Sequence, residues 1–113
     1  MELKLKRIIL FSQNVPRLAQ FYEHVIGLRV IGTEPGWVEL DAGGCAVAIH
    51  KGKSTIGSRP PKIVFYSPDV AATRAELIER GMTGLGSVKS AGTFQMCDGR
   101  DIDGNAVQIS SRT

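Results

Sequence analysis

Few side chains in this 113-residue chain are of the types that carry chemistry, and their spacing restricts what they can do. The two cysteines, Cys45 and Cys97, make neither a metal-ligand spacing nor a disulfide framework, so both are expected as buried reduced thiols. His50 and Glu39 fall on neighbouring strands of one hairpin, with a parity that puts both on one sheet face. Two donors fall short of the three protein ligands of a catalytic metal site. His24 occupies an exposed position on a helix. Asp98, Asp101 and Asp103-Gly104 are not a calcium loop, because Arg100 stands at the third position and the distal glutamate is missing. Ser12 and Ser67 have no histidine placed to activate them and are expected to cap turns. The glycines (Gly43-Gly44, Gly81, Gly84, Gly86, Gly104) are scattered and form no phosphate loop. What remains is a pair of cations, Arg7 and Lys62, each at the head of an apolar strand.

Those two strands are copies of each other. Arg7-Ile8-Ile9-Leu10-Phe11-Ser12-Gln13-Asn14-Val15 returns as Lys62-Ile63-Val64-Phe65-Tyr66-Ser67-Pro68-Asp69-Val70. Ile8/Ile63, Ser12/Ser67 and Val15/Val70 are identical, and most other pairs keep charge, bulk or capping role. Such a repeat predicts one structural unit used twice. Each copy reads as a strand, a turn and a helix N-cap.

The bulk properties narrow the class. The length fits one domain, and each half alone would bury a marginal core, so the halves are expected to share a sheet, a core or a dimer partner. Net charge is +3, with small basic clusters at Lys4, Lys6, Arg7 and at Lys51, Lys53, Arg59. A nucleic-acid footprint needs more clustered charge and a recognition motif. No apolar run is long enough to span a membrane, and the N-terminus leads into a strand without a signal-peptide pattern, so a cytoplasmic location is expected.

The elements follow from periodicity and punctuation. Residues 3–12 form a strand apolar on both faces, expected to be covered on both. Asn14 caps a helix with Pro16 in its first turn; Val15, Leu18, Phe21/Tyr22 and Val25 form its buried stripe, and Gly27 ends it. Strands follow at 28–33, 37–41 and 45–50, joined by turns at Glu34-Pro35-Gly36 and Ala42-Gly43-Gly44. Residues 51–61 are the linker. The second half repeats the order: strand 62–67, a helix capped by Asp69 and stopped by Gly81, a weaker strand within 83–88, then strands 94–98 and 106–110. The modules are therefore 1–50 and 62–113 within a single domain, and antiparallel hairpins favour an α+β fold.

Phe21-Tyr22-Glu23-His24-Val25-Ile26-Gly27-Leu28 and the closing Asp101-Ile102-Asp103-Gly104-Asn105-Ala106-Val107-Gln108-Ile109 resemble two characteristic segments of the vicinal oxygen chelate superfamily. That superfamily holds glyoxalase I, bleomycin-resistance proteins and extradiol dioxygenases. The resemblance covers essentially the whole chain and implies two paired β-α-β-β-β modules, a curved eight-stranded mixed sheet with helices outside, and a homodimer. In metal-using relatives four ligands converge in a cup from the first and last strands of the modules. Those positions fall here on Arg7, Ala48, Lys62 and Gln108. Arginine offers only donors and lysine is normally charged, so this set does not hold a divalent ion. No metal or other cofactor is expected.

Alternation then puts Ile9, Phe11, Val64 and Tyr66 on the cup face, with Ala46, Ala48, His50, Ala106, Gln108 and Ser110, and Trp37 beside them. The candidate ligand contacts are Arg7, Ile9, Phe11, Trp37, Ala48, His50, Lys62, Val64, Tyr66 and Gln108. If Arg7 and Lys62 both face an open cup, they suit a carboxylate or phosphate. The expected function is metal-free binding of a small organic, anionic molecule, with no nucleic-acid or membrane partner. The alternatives are a glyoxalase-like lyase or isomerase using His50 and Glu39, and a non-catalytic dimeric interaction module. A cationic bleomycin-type antibiotic suits an acidic groove better than this one.

Overall fold

The computed structural model describes residues 1–113, in two compact units, Met1–Thr55 and Ile56–Thr113. The division falls inside the polar 51–61 segment. Each unit is a β-α-β-β-β module with its own four-stranded mixed sheet, an α+β arrangement.

In the first unit, β1 (Arg7–Ser12), β2 (Arg29–Glu34), β3 (Trp37–Asp41) and β4 (Ala46–Lys51) are ordered β1-β4-β3-β2. β1 runs parallel to β4, and the other pairings are antiparallel. Helix α1 (Val15–Gln20) starts at Asn14, whose side chain accepts from the Arg17 N–H, and Pro16 needs no donor there. The helix continues as a π-helical stretch, Phe21–Ile26, before Gly27 closes it at φ 96°. The N–H groups of Gly27 and Leu28 both donate to the Tyr22 carbonyl. Its stripe packs on one sheet face. Leu18, Tyr22, Leu40, Val47 and Ile49 are almost wholly buried there.

The second unit repeats this with β5 (Lys62–Tyr66), α2 (Val70–Glu79), β6 (Lys89–Ala91), β7 (Phe94–Arg100) and β8 (Ala106–Ser110), ordered β5-β8-β7-β6. Asp69 caps α2 through the Ala72 N–H. Val70, Leu77, Met82, Leu85, Cys97, Val107 and Ile109 form the core. The Ser12 and Ser67 hydroxyls accept from the N–H groups of Asn14 and Asp69, in the capping role expected of them.

Four expectations change. The strand expected from residue 3 begins at Arg7. The strand expected within 83–88 lies at Lys89–Ala91, because Leu85 turns inward as core and Gly86 donates to the Asp98 carbonyl instead. Cys97 is buried, but Cys45 is partly exposed beside the β3–β4 turn. The apolar β1 is not covered on both faces: Ile9 and Phe11 stay exposed, and Val64 and Tyr66 do the same on β5. β1 and β5 are edge strands of their sheets, and the helix covers only one face.

Candidate functional site

The faces away from the helices collect the candidate residues, and strand register orders them in rungs. On the first sheet one rung is Phe11–His50–Trp37, and the next is Ile9–Ala48–Glu39. Arg7 reaches across the second rung from its place opposite Ala46, and its Nε donates to Glu39 Oε2 at 3.2 Å. The pair joins the first and third strands over the fourth. The alanine beneath, Ala48, has no exposed surface. The rings in the neighbouring rung touch: Phe11 and Trp37 lie 5.6 and 5.7 Å from His50, centroid to centroid, both tilted to it.

The second sheet repeats the plan with different side chains. Val64–Gln108–Asp98 is the rung equivalent to Ile9–Ala48–Glu39. Lys62 Nζ donates to Asp98 Oδ1 at 2.9 Å, so the second cation is paired as the first is. Gln108 Nε2 donates to the same oxygen at 2.9 Å and touches the Met96 sulfur at 3.5 Å, filling the place that Ala48 leaves small. Burial pushes the Asp98 carboxyl up, but hydrogen bonds from Lys62 and Gln108, with the charges of Lys62 and Lys89, outweigh it and hold the group below its ordinary value.

Arg7 and Lys62 thus sit in two ion pairs and do not form a free basic pair. A long cation on a half-covered sheet face needs a partner, and the third strand supplies one in each unit. The role of Asp98 is masked in the sequence by its likeness to a calcium loop. Only the register of β7 against β8 reveals it as the counterpart of Glu39.

The four positions at which the resemblance implies metal ligands carry Arg7, Ala48, Lys62 and Gln108, with no imidazole or carboxylate among them. Such a set does not fit a divalent ion. The displaced pair fares no better. Glu39 already accepts from Arg7, His50 lies one rung away, and no group of three or more His, Cys, Asp or Glu side chains is placed to hold a metal. A cleft of about 350 Å³ lies at the end of the first sheet, between the start of α1 (Asn14, Val15, Pro16) and the β2–β3 turn, with Trp37 and Lys51 on its wall. Lys51 follows His50 and so alternates to the helix side, while Trp37 belongs to the ring-bearing rung, so the cleft adjoins that rung at Trp37.

A duplicated β-α-β-β-β protein with one open sheet face per module defines a recognisable class. The sequence model of the Glyoxalase/Bleomycin resistance protein/Dioxygenase superfamily matches residues 4–109. The chain belongs to that superfamily. Solved structures agree on the fold. Lactoylglutathione lyase from Agrobacterium tumefaciens superposes with TM-score 0.78 at 16% identity, over 97% of this chain and 94% of that one. A glyoxalase/bleomycin resistance protein/dioxygenase from Nocardioides gives 0.81 at 12% identity, over 97% and 83%. TioX from Micromonospora sp. ML1 gives 0.80 at 15% identity, over 97% and 99%. No curated protein matches the chain. No helix is long and apolar enough to cross a membrane.

Proposed function

We propose that this chain is a metal-independent, homodimeric, cytoplasmic protein that binds a small organic molecule against its open sheet faces, in the manner of the bleomycin-resistance branch of its superfamily. One observation carries the reading. At the two positions where metal-using relatives place their first-strand ligands, this chain holds cations, each tied to a third-strand carboxylate. The exposed apolar side chains Ile9, Phe11, Val64 and Tyr66 beside those pairs support it, since a largely apolar wall with a few placed polar groups is the usual make-up of a ligand site. Because each cation is matched by a carboxylate, an anionic group is accommodated by the remaining donors of Arg7 and Lys62 and is not demanded by surplus charge.

Metal analysis of protein purified without chelator tests this directly. The expected content of zinc, nickel, iron and manganese is far below one equivalent per chain. One tightly bound equivalent would overturn the reading and revive a lyase built on His50 and Glu39. A thermal-shift screen over carboxylates, phosphates and aromatic compounds tests the binding half. No stabilisation by any of them would leave an interaction module as the better account.

A further inference from the structure

We propose that the Phe11–His50–Trp37 rung of the first sheet is the seat of a planar aromatic ligand, a refinement that rests on the small-molecule reading above. The three side chains come from three adjacent strands in register and share one face. The Phe11 and Trp37 rings each pack against His50, at 5.6 and 5.7 Å between centroids, and Phe11 and His50 are exposed. Cross-strand ring packing alone explains the contacts. It does not explain why so much aromatic surface is left facing water on the uncovered side of a sheet. A flat ring laid over the rung removes that surface from water and adds offset or edge-to-face contacts with rings already held in place.

The neighbouring residues fit the rest of such a ligand. Two residues along the strands, about 6.6 Å at the usual rise per residue, comes the Ile9–Ala48–Glu39 rung, with only a methyl at its centre. The Arg7–Glu39 pair crosses it, and its one bond uses Arg7 Nε, leaving the two terminal NH2 groups to serve a polar edge. The second unit has no equivalent seat. The matching rung is Tyr66–Ser110–Met96, with one ring and a buried serine, and Gln108 fills the centre of the next. The site is therefore on the first unit. Rings set in line along a flat rung, near a guanidinium, also suit a planar group better than a quaternary ammonium, which needs rings closed around it.

Trp37 is the chain's single tryptophan, so its emission reports on this rung and on the cleft it also lines, and Phe11→Leu and Lys51→Glu tell the two apart. The full-length protein is titrated with 2-naphthoate and with cyclohexanecarboxylate, which has the same head group on a puckered ring, with calorimetry in parallel. The expected result is quenching of Trp37 by 2-naphthoate and affinity about tenfold tighter than for the saturated acid. Phe11→Leu and Trp37→Leu are each expected to weaken 2-naphthoate severalfold in calorimetry while leaving Tm within a few degrees. Lys51→Glu, on the wall of the adjoining cleft, is expected to change nothing. Equal affinity for the two acids overturns the proposal, as does binding that leaves Trp37 emission unmoved. Loss of binding in Lys51→Glu, or tetramethylammonium quenching Trp37 where 2-naphthoate does not, overturns it too. If calorimetry detects neither acid nor any compound of the thermal-shift screen, the small-molecule reading falls with it.

Discussion

Glu39 is the more buried partner of the Arg7 bridge, with 14% of its side chain exposed against 37% for Arg7. The two ends are therefore not equivalent. Removing Arg7 strands a half-desolvated carboxylate, whereas removing Glu39 leaves a cation long enough to reach water. Arg7→Ala is expected to cost about 1 kcal/mol in chemical denaturation and Glu39→Gln less, with a coupling of at most ~1 kcal/mol in the double-mutant cycle. In the second unit the corresponding effect appears as pH dependence. Asp98 has a depressed pKa in the folded protein, so its stabilisation is present above the unfolded carboxylate value and is lost as pH falls through the folded one. Lys62→Met removes a hydrogen bond and a charge from Asp98, so the variant should lose less stability than the parent on going from neutral pH into the acid range. Since 42% of the Asp98 side chain is exposed, the difference is expected to be tenths of a kcal/mol, read from urea melts at paired pH values. Equal acid sensitivity of parent and variant would count against the Lys62 pairing.

The elements that carry these side chains are set by caps, turns and burial. Gly27 closes the first helix at φ 96°, where a Cβ is disfavoured, so Gly27→Ala should destabilise by about 1 kcal/mol. Gly44, also in a turn, has no positive φ and nothing within 4 Å of an added Cβ, so Gly44→Ala is the near-neutral control. The thiols separate by element as well. Burial pushes the Cys97 thiol up, the nearby Arg74 only partly offsetting it, while Cys45 sits partly exposed beside a turn. Alkylation followed by mass spectrometry should mark Cys45 in the folded protein and reach Cys97 only on unfolding. The first module is readable from the sequence because Asn14, Gly27 and the Gly43-Gly44 turn punctuate it clearly. In the second module Thr83–Val88 is only weakly strand-like, since Gly84 and Gly86 interrupt it, Gly84 takes a positive φ and Leu85 is taken by the core, so the strand forms later. The candidate face was readable wherever alternation alone decides it, as at Ile9, Phe11 and Val64. Glu39 was readable on that face as well, but Asp98 was not, because which residue lies opposite Gln108 depends on hairpin register, and the two modules differ in length before their third strands.

At the level of the whole chain, the open faces leave Ile9, Phe11, Val64 and Tyr66 in contact with water. Exposed apolar residues scattered singly are ordinary; here each module clusters two on neighbouring rungs of an edge strand, the arrangement that a ligand or a second copy covers. The two occupants predict different behaviour. Covering by a second copy makes stability depend on protein concentration, whereas covering by a ligand makes it depend on ligand concentration, each through mass action. Light scattering on the purified protein is expected to give twice the 12.2 kDa of one chain, and its Tm should fall as the protein is diluted. Phe11→Asp places a charge on the face that would be buried, and the two cases then separate. A switch to monomer with loss of cooperative unfolding marks Phe11 as dimer surface. A dimer retained with ligand response abolished marks it as ligand wall, the outcome expected from its contact with His50. A concentration-independent 12.2 kDa species would remove the dimer from the proposal while leaving the ring-bearing face to be accounted for by the ligand alone.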